Sequence, residues 1–170
     1  MAFDSSANLD DVDWKLIEAL QEDGRMSFAE LGRRVSLSPP AVAERVRRLE
    51  LAGVITGYRA ELNLAKLGLG MQALIRVMAT GRDCEAMGGR LVALPEVLEA
   101  HRVTGSDSHV VRVAVRSVEH LENLLNRLME HSSDSVTAII LSTPIPNRKV
   151  TRQLAEGEPE VVRRPEARPA

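Results

Sequence analysis

The chain has one cysteine in 170 residues, Cys84, so neither an internal disulfide nor a multi-cysteine zinc site is open to it, which favours a reducing compartment. Aromatic residues are nearly as scarce: Phe3, Trp14, Phe28 and Tyr58 make up 2% of the sequence. Any core beyond them must be built from Val, Leu, Ile, Met and Ala, and base stacking on an aromatic platform is disfavoured. No stretch approaches a membrane span, and the acidic start lacks the apolar region of a signal peptide, so a cytoplasmic protein is expected. Glycine-rich phosphate loops, nucleophile elbows and paired carboxylates are also missing, which argues against an enzyme and against a cofactor. The histidines at 101, 109, 120 and 131 match no metal-ligand spacing, and no metal site is expected.

What is present has ordinary globular proportions, 44% hydrophobic and 27% charged, enough for one medium domain or two small ones. Residues 1–62 carry eight basic and eleven acidic side chains, a net charge of −3, so bulk charge does not announce nucleic acid. Position does: from Arg25 to Arg48 there are six arginines against only Glu30 and Glu44.

Local signals order this half. Asp10 caps a helix with Val12, Leu16, Ile17 and Leu20 at helical spacing, ending at Gly24. Ser27 and Glu30 form a capping box for a second helix, continued by Leu31 and Val35. Ser38 as N-cap and Pro39 at the first helical position open a third, with Val42, Val46 and Leu49 on its buried side and Gly53 as its stop. Val54 to Leu62 reads as an extended exit strand and 63–70 as a hinge.

From Met71 the pattern changes to strand, helix, strand, strand, helix, strand, the ferredoxin-like βαββαβ order, with a turn at Gly105-Ser106-Asp107 between the central strands. The expected fold is α+β: a winged-type helix-turn-helix domain over 1–62 and an antiparallel-sheet domain over 71–143. Alternate positions on the far face of the sheet, such as Leu74 and Met78 or Val97 and Val103, are largely apolar, so a partner chain is expected there. Residues 144–170 hold five of the eight prolines among charged residues and are expected to be largely disordered.

On the third helix, Ala41, Glu44, Arg45 and Arg48 recur at i, i+3, i+4 and i+7, and the expectation is a free face opposite the buried one. Short side chains near a helix N-terminus with arginines behind them suit a recognition helix in the major groove, though an amphipathic helix with a solvated basic face has the same pattern.

The long run from Leu9 to Asn63 resembles the N-terminal half of the Lrp/AsnC family, the leucine-responsive and asparagine-operon regulators. Leu9-Asp10, Asp23-Gly-Arg25, Glu30-Leu31, Leu37-Ser38, Arg45-Val-Arg-Arg-Leu-Glu50 and Gly53-Val-Ile-Thr-Gly-Tyr58 stand at that family's spacing, and Met71 to Thr143 is similar to its effector-sensing domain. The resemblance implies a sequence-specific transcription regulator of double-stranded DNA that forms a homodimer, assembles further into forms such as an octamer, and responds to an amino acid. It implies that Ser38, Pro39, Pro40, Ala41, Glu44 and Arg45 face the major groove while Arg48 and the Arg25 to Ser27 segment hold the backbone. Glu44 either accepts from a cytosine amino group or pairs with Arg48 at i+4; the pairing is preferred.

The same resemblance implies an effector site at Gly105, Ser106, Asp107 and Ser108 together with Ser135 and Thr137 of a neighbouring subunit. Here the carboxylate, Asp107, stands one place before the family's usual position, which Ser108 occupies. Because strand faces alternate, an effector-independent architectural DNA-binding protein stays an alternative, as does, more remotely, a small ferredoxin-like enzyme.

Overall fold

The computed structural model describes residues 8–130 and 134–157, and it separates into two compact units: one from the described parts of Met1–Ala60 and Ile145–Ala170, the other Glu61–Pro144.

The first unit is three helices, α1 (Asp11–Glu22), α2 (Phe28–Val35) and α3 (Pro39–Leu51). Each starts where a local signal satisfies the orphan backbone donors of a first turn. Asp10 accepts from the amides of Val12 and Asp13, and Asp13 reaches back to the Asp10 amide, a reciprocal capping box. Ser27 and Glu30 make the second box. At α3 the prolines do the work instead, since Ser38 makes no side-chain cap bond and its hydroxyl has no partner among the described residues. A Schellman closure ends α3: Gly53 at φ +70° lets its own amide reach Glu50 O and the amide of Val54 reach Leu49 O.

The turn between α2 and α3 is set by a close approach. Ser36 is left-handed at φ 57°, the Leu37 amide bonds Gly32 O, and a Cβ on Gly32 would lie 2.4 Å from Leu37 O. Leu16, Ala19, Leu31, Val35, Val42 and Val46 fill the space between the helices, fixing the face each presents outward. The exit segment 54–62, expected as a strand, pairs in no ladder among the described residues, because no strand lies beside it to take its backbone groups.

The tail departs further from expectation. Residues 145–157 run back along α1 and end in a short helix, α6 (Arg152–Glu156). Lys149 pairs with Glu22 at 2.8 Å, Gln21 exchanges two hydrogen bonds with the backbone of Val150, Arg152 pairs with Asp11, and the Trp14 indole donates to Glu156 at 3.0 Å. Basic residues of the tail meet acidic residues of α1, an attraction that proline content does not report. Residues 158–170 lie outside the described residues.

The second unit has strands β1 (Met71–Met78), β2 (Val97–Arg102), β3 (His109–Val115) and β4 (Asp134–Ile139), with helices α4 (Gly81–Val92) and α5 (Val118–Met129). The order is β2-β3-β1-β4, antiparallel throughout, with a register shift between Val97 and Glu99. Ala73, Ile75 and Val77 of β1 and Val111, Val113 and Val115 of β3 pack against Met87 and Leu91 of α4 and Leu121, Leu124 and Leu128 of α5.

The opposite face is less apolar than alternation suggested. Leu74 and Val136 are exposed on it, but Arg112 stands among them, bonded to Gln72 and Glu99. Val97 instead packs against the core, since it is paired with the buried Val113.

Candidate functional site

The α2–turn–α3 segment presents the surface expected to meet DNA. Arg25, Ser27, Ser38, Pro39, Pro40 and Glu44 are exposed and Ala41 is half-buried. Glu44 has no ion pair with Arg48 among the described residues, which corrects the preferred expectation, because Arg48 turns to a different carboxylate.

That carboxylate is Asp13. Its side chain is 1% exposed, and it takes hydrogen bonds from Arg45 Nη1 at 2.9 Å and from Arg48 Nη2 at 2.9 and 2.8 Å. Arg45 also bonds Asp10 at 2.7 Å. The bond from the Asp13 amide, then the Arg45 guanidinium, holds the Asp10 carboxyl below its usual range. Asp10 and Asp13 in turn raise Arg45 above its ordinary value. A buried carboxylate must be paired, and breaking such a pair leaves an uncompensated charge at about 3–5 kcal/mol. Arg45 and Arg48 therefore fasten α3 to α1, Arg48 through Nη2 alone and with its side chain still 59% exposed.

The reason lies in helix geometry. With Val42, Val46 and Leu49 buried, a 100° step per residue puts Pro40, Glu44, Arg47, Arg48 and Leu51 within about 60° of the outward direction, with Arg47 and Arg48 on opposite flanks of it. Ala41 and Arg45 lie farther round on the Arg48 flank, the one from which Arg45 and Arg48 reach Asp13 of α1. Arg47 is exposed and has no ion-pair partner among the described residues. Sequence reasoning passed over it, although a finer use of the same helical angle finds it.

The expected effector residues fall on two faces of the second unit. Gly105 and Ser106 are exposed in the turn, and Asp107 lies 3.7 Å from Arg76 on the open face of the sheet. The Ser108 hydroxyl is already spent, donating to Val77 O at 2.8 Å and accepting from the Ala79 amide at 3.1 Å. Ser135 and Thr137 pair with Val77 and Ile75, both buried, and so stand on the helix-covered side. One chain does not bring Asp107 and Thr137 together.

His109 is 5% exposed, and burial first, then the Arg102 charge, pushes its imidazole below the usual value. Burial also opposes ionisation of Glu96, but hydrogen bonds from His120 and Arg127 overcome it and hold that carboxyl at about 2. Among the described residues no group of three His, Cys, Asp or Glu is placed to hold a metal, and no helix is long and apolar enough to cross a membrane; His131 lies outside them.

Residues 9–50 match the AsnC-type helix-turn-helix domain and residues 72–150 the Lrp/AsnC ligand binding domain. The chain is 34% identical over 134 residues to the HTH-type transcriptional regulator LrpC of Bacillus subtilis, covering 79% of this chain and 92% of that one. Its fold is similar to a transcriptional regulator of Neisseria meningitidis in complex with L-methionine, at TM-score 0.79 and 29% identity over 84% of this chain and 96% of that one. It is similar also to the feast or famine regulatory protein of Mycobacterium tuberculosis complexed with L-methionine, at TM-score 0.78 and 35% identity over 84% of this chain and 98% of that one. With both of its parts matched in order, the chain belongs to the Lrp/AsnC family of DNA-binding transcriptional regulators.

Proposed function

We propose that this regulator reads duplex DNA as a homodimer, laying α3 in the major groove with Ser38, Pro39, Pro40, Ala41 and Glu44 toward the base edges and with Arg25, Ser27 and Arg47 on the phosphates. The observation that carries this is the exposed face of α3, where the Ser38 hydroxyl and the Arg47 guanidinium have no partner among the described residues, while Arg45 and Arg48 bond Asp13. A DNA partner places its work in the cytoplasm. Two recognition helices related by a two-fold axis need half-sites about 10 base pairs, or a multiple, apart. Selection from a random duplex library tests this: an enriched palindrome with that spacing is the expected result, and no enrichment over random sequence overturns it.

An amino acid is the effector this reading favours, supported by the L-methionine held by two structurally similar regulators. Gly105, Ser106 and Asp107 of one chain reach Ser135 and Thr137 only if a second chain supplies them, so the turn site rests on assembly into a dimer or a larger form such as an octamer. Ser108, with its hydroxyl captured by β1, contributes backbone alone. Sedimentation of the full chain with and without L-methionine tests the assembly, and a monomer at micromolar concentration overturns it.

A further inference from the structure

The second unit has a groove of about 530 Å³ between α4 and the edge strand β2, one end of which reaches the Arg102–His109 pair that closes the central hairpin. Its size is that of a small-molecule site. Leu91, Val92, Val97 and Leu98 make its walls apolar. Gly88 lines it in the middle of α4, where glycine is the poorest ordinary helix former, and a Cβ built there meets nothing within 4 Å. The missing side chain is part of the opening.

The polar end is made by neighbours across two strands. Arg102 of β2 pairs in register with His109 of β3, and both line the groove. Arg102 has no side-chain partner among the described residues. His109 is nine-tenths buried, and its Nδ1 lies 3.1 Å from Ser108 Oγ. That hydroxyl has one hydrogen, already donated to Val77 O, so it can only accept from the ring. His109 therefore carries its proton on Nδ1, and Nε2 is left as a bare acceptor with no partner among the described residues. Glu85 adds a carboxylate at the rim that has no ion-pair partner among the described residues.

We propose that the α4–β2 groove binds a small apolar amino acid within a single chain, its carboxylate on Arg102, its ammonium shared by His109 Nε2 and Glu85, and its side chain against Leu91, Val97 and Leu98. This rests on the reading that the second unit senses an amino acid, and it places the contact in the groove beside α4, at the base of the hairpin, rather than on the turn residues Gly105 to Asp107. Arginine suits a carboxylate by its two-pronged donors, and the groove supplies an acceptor, a counter-charge and apolar walls in the arrangement a leucine or methionine zwitterion presents.

Calorimetric titration and thermal shift of the full chain with L-leucine and L-methionine test the proposal, alongside 4-methyl-2-oxopentanoate, which offers no hydrogen to His109, and isopentylamine, which lacks the carboxylate. Wild type is expected to bind at least one of the amino acids and to bind both analogues about tenfold or more weakly. Gly88→Leu, which fills the groove, and Arg102→Ala, at an exposed strand end, are each expected to remove the groove's binding event from the titration, while Glu122→Gln, exposed on α5, leaves it unchanged. If Arg102→Ala and a folded Gly88→Leu bind as wild type does while Asp107→Ala or Thr137→Ala does not, the groove is overturned and the amino-acid response stands at the turn. If wild type binds neither amino acid, both fall.

Discussion

Arg48 Nη2 donates to both carboxylate oxygens of Asp13, at 2.9 and 2.8 Å, joining the last turn of α3 to the first turn of α1. With Arg45 on the same carboxylate, two of the six arginines between residues 25 and 48 hold α3 in place, and a third, Arg47, is left facing outward.

Replacing Asp13 by Ala is expected to destabilise the first unit by about 3 kcal/mol or more, because both guanidinium groups lose their buried partner and the α1 capping box opens. Thermal or urea unfolding measures it. A loss below about 1 kcal/mol would mean that the buried carboxylate does not fasten the helices.

Arg47→Ala is expected to weaken binding on all DNA sequences and to lower the salt slope of log K by about 1, with the unfolding midpoint unchanged. Arg45→Ala should behave the other way, losing stability before it loses specificity. Binding at several salt concentrations, set beside unfolding curves for both variants, separates the roles; a stable Arg45→Ala with normal affinity and an unfolded Arg47→Ala would reverse them.

The single tryptophan reports the returning tail. Trp14 is 8% exposed and gives its indole hydrogen to Glu156. A chain ending at Pro144 should show a red-shifted emission maximum and greater quenching by iodide than the full chain. Identical spectra would mean that residues 145–157 do not cover α1 in solution.

Acid should unfold the second unit in two steps. The His109 pKa is depressed from 6.5, so its neutral form contributes stability fully above that value, and the contribution is lost as pH falls below it toward the folded pKa. Glu96, held at about 2 against 4.5, contributes above 4.5 and loses that contribution between 4.5 and 2. Thermal midpoints from pH 8 to pH 3 are expected to lose the upper step in His109→Asn and the lower one in Glu96→Gln. An unchanged profile in His109→Asn would show that another group sets the upper step.

The sequence by itself determined helices α1 to α5, the alternation of the second half and the family. These depend on contacts three or four residues apart, such as Asp10 with Asp13 and Ser27 with Glu30, or on periods that backbone geometry imposes. Tertiary structure decided the tasks of individual polar groups. Arg45 and Arg48 look outward on a helical repeat read coarsely, and only the packing of α1 beside α3, 32 to 35 residues away, supplies the buried carboxylate that captures them. The same holds for the tail, whose charges find α1 at a separation of more than 120 residues, and for Ser108, whose hydroxyl is taken by a neighbouring strand. A hydrogen bond across that distance depends on how two elements cross, and the local pattern of neither element sets the crossing.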